Sequence, residues 1–435
     1  MSYPTTIDYL YGLQKFGMKF GLDNIRKLMS VFHNPQDSFR SVHVAGTNGK
    51  GSTSAMIESI LRTAGIRTGL FSSPHLISFT ERIRIDGEEI TEKDVVALAG
   101  EVRAAAEKIE DFSPTFFEVV TTMAFLHFRK EGVEWAVIET GLGGRLDATN
   151  IIIPEAAVIT RIGLDHREFL GKTLGEIALE KAGIIKDGVP VVSAAQEAPA
   201  MQAIEKKAKE KDSPLFTYGE SFASELMSET FEGTSFRYSG ERHNRDFALP
   251  LAGRHQMINA SMAVKTAEIL MGKYPGMKCD IGKGLSTVRW PGRMEMVNDA
   301  PPVLIDGAHN PQAALALSGY LKEVALSRYK RIVLVVGVMG DKDIEGILGP
   351  LLPVASEMIF AAPAYGRSAR PERLAALAAA KGYLSLVAPS VADAVKKAVE
   401  ICLPGDLVVV TGSFYTIGEA KEFFGNKGVL TRLRE

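Results

Sequence analysis

The chain has 435 residues, 46% hydrophobic and 23% charged, enough for a large core and two or three domains. A net charge of −2 argues against nucleic acid or an acidic membrane as the main partner, while a local basic pocket stays permitted. The two cysteines, Cys279 and Cys402, lie far apart without a C-x-x-C pattern, which excludes a disulfide framework or a structural zinc site.

The N-terminus, MSYPTTIDYL, lacks the basic-then-apolar layout of a signal peptide. No apolar run reaches the roughly 18 residues of a membrane span, so a soluble, cytoplasmic protein is expected. In chain order, short apolar runs predict strands at 41–45, 135–139, 156–160 and 189–193, then at 303–305, 331–337, 357–361 and 406–411. Helical periodicity falls between them, at 52–64, 92–109, 115–131, 173–186, 258–271, 311–326, 371–381 and 391–402. Continuous apolar strands alternating with helices predict parallel sheets covered on both faces. Residues 214–250, rich in Ser, Gly, Phe and Tyr, predict a few antiparallel strands. The polar stretch 297–300 and Pro301-Pro302 suggest a junction between a larger domain, 1–296, and a smaller one, 297–435, with the ligand cleft between them.

The stretch SVHVAGTNGKGSTS, 41–54, runs from a strand through Gly46, Thr47, Asn48, Gly49, Lys50 and Gly51 into a helix at about Ser52. Glycines let backbone N–H groups approach a phosphate, and the helix N-terminus adds partial positive charge. Lys50 can bridge terminal phosphates, and Ser52 can ligate Mg²⁺. The usual spacing, G-x-x-x-x-G-K-[ST], fails at Val44 and at Gly51; the loop is either a tighter phosphate site or a structural glycine turn.

Further stretches carry polar groups suited to ligands, several of them at strand ends, where open α/β sheets collect ligands. Glu139 ends the strand 135–139, and Asp147 and Asn150 follow in a glycine-rich loop. A strand-end carboxylate suits a Mg²⁺ that also touches phosphates. Asp165 and His166 follow the strand 156–160; His166 is a metal ligand or a hydrogen-bonded structural residue. Lys181 shares a helix face with Leu174, Ile177 and Ala178. A lysine there either snorkels or has its charge paired or removed; carbamylation would make it a carboxylate-like ligand. Ser73 stands before Pro74, and SFTERI, ending in Arg82 and Ile83, follows. Gln256 and Asn259 lie near a helix start, suited either to capping or to a ligand. Arg293, in WPGRME, sits at the junction and can clamp a phosphate bidentately or form an interdomain salt bridge. In the second domain, Asp306, His309 and Asn310 follow one strand, and Ser413 follows the last.

GTNGKGST, SPHLISFTERI, ETGLGGRLDATN, DHREFLG, EKAGI, GRHQMINA, WPGRME, DGAHNP and GSFYTIGE occur in one order over almost the whole chain. In this the sequence resembles the folylpolyglutamate synthase / dihydrofolate synthase family of the Mur ligase superfamily. It departs at Arg167, where that family usually has Thr. The resemblance implies a P-loop ATPase-type parallel-sheet domain with a small β subdomain, followed by a smaller Rossmann-like α/β domain. It implies an ATP-dependent ligase that joins L-glutamate to a reduced folate or to dihydropteroate, acting as a monomer. Gly46 to Ser52 would bind the ATP phosphates, with Asn259, Arg293 and Asp306. Ser73, Glu139 and Ser52 would serve one Mg²⁺; Glu139, His166 and a carbamylated Lys181 would serve a second metal. K⁺ is a further candidate ion. Asp147, Arg82 and Ser413 would face the substrates, and His309 would join Lys50, His166 and Lys181 in the catalytic group. A peptidoglycan-precursor ligase usually carries a nucleotide-sugar domain before the phosphate loop, for which the 45 residues preceding Gly46 are too few.

Overall fold

The computed structural model describes residues 2–16 and 21–425. The first domain is built on an eight-stranded sheet in the order Glu88–Glu89, Ile83–Ile85, Thr68–Phe71, Trp135–Glu139, Arg40–Ala45, Ala156–Ile159, Val191–Ser193 and Leu215–Thr217. All neighbours from Thr68–Phe71 onward are parallel, and the first two strands form an antiparallel edge.

Strand pleating explains why the central strands read as unbroken apolar runs. Successive side chains alternate between faces, and both faces are covered. Val42, Val44 and Val137 face one layer, packed with Met56, Ile60 and the helix Arg254–Lys273. Ala136 and Ile138 face the other, against the helices Glu92–Ala106 and Phe116–Lys130. That second layer also holds two helices that the periodicity did not predict, Tyr3–Gly12 and Asp23–Val31.

The stretch expected to be antiparallel forms a three-stranded sheet, Ala223–Glu229, Thr234–Ser239 and Asn244–Leu249. The second domain has a six-stranded sheet in the order Glu295–Asp299, Pro302–Ile305, Asp406–Thr411, Arg331–Val336, Glu357–Phe360 and Leu386–Val387. It is parallel except for Glu295–Asp299. This sheet therefore begins two residues before the junction expected at 297. Val333, Val335, Val408 and Val410 face one layer of helices, and Leu334, Val336, Leu407 and Val409 face the other. The long helix expected at 311–326 is a regular helix only over Pro311–Tyr320; a wider turn, Leu321–Ala325, follows. Among the described residues no helix is long and apolar enough to cross a membrane.

The carboxyl ends of the two parallel sheets meet at a cleft. Asn48, after a first-domain strand, and Asn310, at the N-cap of the helix Pro311–Tyr320, bond each other side chain to side chain at 2.8 and 3.2 Å. At another point of contact the hairpin tip 230–233 of the small sheet docks on the second domain. Phe231 meets Tyr320 and Tyr329 edge-on at 5.6 and 5.5 Å, and the Arg328 guanidinium lies over its ring. Arg254 adds ion pairs to Glu229 and Glu323. Phe231→Ala removes a half-buried ring from this contact and is expected to destabilise the docked arrangement by about 2 kcal/mol, read as a lower urea midpoint for the second-domain transition.

Candidate active site

The phosphate-loop candidate starts where strand Arg40–Ala45 ends. Gly46 has φ 154°, and a Cβ there would collide with the Thr160 hydroxyl of the neighbouring strand end. The N–H groups of Thr47 and Asn48 both donate to Arg161 O at 3.0 Å, which turns the chain back toward the sheet. Gly49, at φ 93°, is the N-cap of the helix Lys50–Arg62 and carries no side-chain cap, with Asn259 packed directly beneath it. The nearby helices Phe116–Lys130 and Leu174–Ala182 are closed by full capping boxes, Thr115/Glu118 and Thr173/Glu176. In the Lys50 helix the first backbone bond runs from Thr53 N to Gly49 O. The N–H groups of Lys50, Gly51 and Ser52 precede it and suit an anion.

Gly51 has a different reason to be glycine. A Cβ there would come within 2.7 Å of Trp290 Cζ2 and 3.1 Å of its Nε1. The indole lies against the loop, so the absent side chain makes room for a ring as well as for a ligand. Trp290 opens the WPGRME stretch, but nothing in the sequence tied it to Gly51, which lies far away in the chain.

Charged groups gather beside the loop. Glu139, buried at the end of its strand, has Lys50 Nζ at 3.9 Å and accepts from the Ser73 backbone N–H at 3.3 Å. Burial pushes its carboxyl up to about 7 against the pull of Lys50. Lys181 is 4% exposed, which rules out snorkelling, and its amine donates to Gly46 O at 2.7 Å. Burial pulls that amine down to about 7, and Lys50 adds to the fall. Asp165 accepts from Lys342 of the second domain at 2.6 Å, with His309 Nε2 at 3.7 Å and His166 Nε2 at 3.9 Å. Burial alone would raise the Asp165 carboxyl; His166, Lys342 and His309 outweigh it and hold it at about 2. Burial lowers His309 to about 4, whereas the His166 side chain is 43% exposed. His309 Nδ1 donates to Gly307 O at 2.8 Å, which leaves Nε2 as the acceptor in the neutral ring.

Among the described residues no group of three or more His, Cys, Asp or Glu side chains is assembled that could hold a metal ion. Glu139 and His166 therefore belong to no such group. The donor set still fits Mg²⁺, which commonly takes one or two carboxylates, phosphate oxygens and water: Glu139 is a buried carboxylate whose charged form is under-compensated.

Other expected residues have firm structural partners. Asp147 accepts from Leu142 N at 2.8 Å and from Thr149 N at 3.0 Å, shaping the glycine-rich loop, and Asn150 Nδ2 ties that loop to Gly183 O at 3.0 Å. Asp306 accepts from Met294 N and Ala308 N, and Ser413 caps the helix Phe414–Phe423 through Thr416 N. Asn259 Nδ2 donates to Gln256 Oε1 at 3.0 Å. Arg293 lies over the Phe414 ring at 4.4 Å, across the junction. Arg82 is buried and donates to His75 Nδ1 at 2.8 Å. Gln312, Lys342 and Tyr11 also enter the arrangement, and only the folded chain reveals them. A cavity of about 690 Å³ lies elsewhere, between the loop after Phe360 and the helix Phe414–Phe423. None of the expected site residues lines it; its Glu419 and Glu422 suit a triphosphate poorly.

A glycine-built phosphate loop at the carboxyl edge of one parallel sheet, facing a second α/β domain across a cleft, defines a two-domain nucleotide-dependent enzyme. Residues 44–267 match the Mur ligase middle domain, and residues 292–414 match the Mur ligase glutamate ligase domain. The dihydrofolate synthase/folylpolyglutamate synthase of Bacillus subtilis is 34% identical over 97% of this chain and 99% of its own length. The folylpolyglutamate synthase of Lacticaseibacillus casei is 33% identical over 97% and 98%. The structure of Mycobacterium tuberculosis folylpolyglutamate synthase complexed with ADP is similar at a TM-score of 0.91 and 32% identity, covering 98% of this chain and 100% of that one. E. coli FolC in complex with DHPP and ADP is similar at 0.85 and 32%, covering 96% and 97%. The chain belongs to the folylpolyglutamate synthase/dihydrofolate synthase family of Mur ligases, and it is an ATP-dependent ligase.

The Gly51–Trp290 contact is separable from phosphate binding. Gly51→Ala is expected to raise the KM for ATP about tenfold by displacing the ring, and Trp290→Leu in the same chain to restore most of it. Steady-state ADP release measures both; no recovery in the double variant would mean that the added methyl acts on the ligand directly.

Proposed function

We propose that this ligase uses ATP and Mg²⁺ to join L-glutamate to a pterin-bearing carboxylate, either a reduced folate or dihydropteroate. The carrying observation is the pairing of Lys50 and Glu139, 3.9 Å apart, at an uncapped helix N-terminus on the cleft. The loop N–H groups and Lys50 offset the negative charge of a triphosphate. Asn259 supports the loop from below, Arg293 and Asp306 reach the nucleotide from the junction, and Ser52 stands at the helix start for a metal-bound phosphate. Glu139 and Ser73 would hold one Mg²⁺, and Glu139, His166 and a carbamylated Lys181 would serve a second. Bound Mg²⁺ supplies positive charge where a carboxylate meets the γ-phosphate.

The substrate carboxylate attacks the γ-phosphorus and ADP leaves, giving an acyl phosphate. The amine of glutamate then attacks the carbonyl carbon, and phosphate departs. Asp147 and its loop border the pterin, while Arg82, Ser413 and His309 serve the carboxylate-bearing substrates. Water would hydrolyse the acyl phosphate, so the closed cleft held by Asn48, Asn310, Asp165 and Lys342 protects it.

Lys181 supports a carbamate. Its amine is largely buried, and with its pKa near 7 a substantial neutral fraction exists at neutral pH. The neutral nitrogen adds to CO₂ and loses a proton, turning a cation into an anionic ligand behind the phosphate loop. Lys181→Ala is expected to lose turnover by at least about a hundredfold, with partial rescue by a short carboxylic acid. Full activity in the variant would remove the carbamate. The substrate class is tested by ADP release with L-glutamate and, in turn, dihydropteroate, tetrahydrofolate and a muramyl nucleotide. Absence of glutamate-dependent turnover with both pterins would defeat the assignment.

A further inference from the structure

Arg82 is a guanidinium buried in the first domain without an ion-pair partner among the described residues. Buried arginines ordinarily carry a carboxylate. This one has a histidine. Arg82 Nε donates to His75 Nδ1 at 2.8 Å, so Nδ1 must present a lone pair and the ring proton must reside on Nε2. Nε2 lies 3.2 Å from the Tyr11 hydroxyl, which it serves as donor. Tyr11, on the helix Tyr3–Gly12, is itself fixed by stacking on Phe116 at 5.4 Å and 17°. The Arg82 guanidinium lies over the same ring at 5.3 Å, and Phe79 packs against His75 at 6.3 Å. Three side chains from three separate segments thus form one chain of contacts that ends on the guanidinium. Its surroundings look toward the cleft: Glu139 beside the phosphate loop and Tyr415 of the second domain both bear on its charge.

We propose that Tyr11 and His75 are positioning residues, a neutral relay that orients Arg82 to receive a substrate carboxylate. An aspartate in the place of His75 would hold the guanidinium equally well, but would spend its charge on an internal ion pair. A neutral imidazole accepts the Nε proton and fixes the plane, leaving the positive charge and both terminal amino groups for the ligand. The Arg82 Nε–H, which can only donate, selects the tautomer with Nδ1 as acceptor, and Tyr11 takes the Nε2 proton and fixes the ring's orientation. The inference rests on the reading of Arg82 as a substrate contact.

The test uses the full-length enzyme, with KM measured separately for L-glutamate, for the pterin substrate and for ATP, alongside kcat and thermal midpoint. His75→Leu removes the acceptor. It is expected to raise the KM of one carboxylate substrate about tenfold or more, with the KM for ATP within about twofold. The substrate whose KM moves is the one whose carboxylate Arg82 receives. His75→Asn keeps an oxygen where Nδ1 stands and is expected to stay within about threefold of the parent. Tyr11→Phe is expected to raise the same KM about threefold, and it decides the matter if His75→Leu fails to fold. Equal effects of Leu and Asn at position 75, or unchanged carboxylate KM values in both His75→Leu and Tyr11→Phe, would overturn the relay. Arg82→Gln separates the two levels. If it leaves both carboxylate KM values unchanged, the reading of Arg82 as a contact falls and the relay with it. If it raises one of them while His75→Leu does not, only the relay falls.

Discussion

Two lysines and a glutamate share a small volume from which water is largely excluded, and their charges do not balance by themselves. Lys50 and Glu139 face each other at 3.9 Å, too far for a tight ion pair. Lys181 sits behind the loop on a carbonyl oxygen instead of on an acid. Burial pushes the Glu139 carboxyl and the Lys181 amine toward their neutral forms. A site in this condition gains from an anion that meets Lys50 and from a cation that meets Glu139. The sheet puts Glu139 and the loop on adjacent parallel strands, in register with Val44 opposite Glu139. The helix that follows leaves its first amides without a side-chain acceptor. Much of the surrounding structure keeps this imbalance in place.

The parallel cores were legible because burial on both faces imposes a simple signal. WAVIE at 135–139 and RIVLVV at 331–336 can only be fully covered strands, since each side chain meets a packed layer. The amphipathic surface helices Tyr3–Gly12 and Asp23–Val31 were not legible. Each is short and buries only three residues, too few to define a period. The strand Thr68–Phe71 was hidden in another way: four residues with a glycine look like a turn until the sheet supplies neighbours on both sides.

The site divides along the same line. Glu139, Asp165 and Asp306 could be found because the end of a parallel strand is a defined place in the chain. Contacts that join distant parts of the chain could not be read in this way. Lys342 reaches Asp165 across 177 positions, and Asn310 reaches Asn48 across 262. Nothing local marks a residue for such a meeting. Gly51 is instructive because the motif marked it while its spatial constraint stayed invisible; Trp290 supplies that constraint from the interdomain junction.

Asp165 joins the chemistry to the closure of the cleft. It belongs to the first domain, yet two of the three groups around it, Lys342 and His309, come from the second, and Lys342 is the cation that holds it ionised. Opening the cleft would remove both and leave the carboxylate with His166 alone. Asn48 loses Asn310 in the same movement, and Asn48 is part of the phosphate loop. The domain contact therefore acts on the loop's own residues and on the neighbour of His166. The closed geometry and the phosphate-binding geometry are stabilised by shared bonds, so a ligand that favours one favours the other. Phe231 and Arg254 hold the domains together through contacts separate from this cluster.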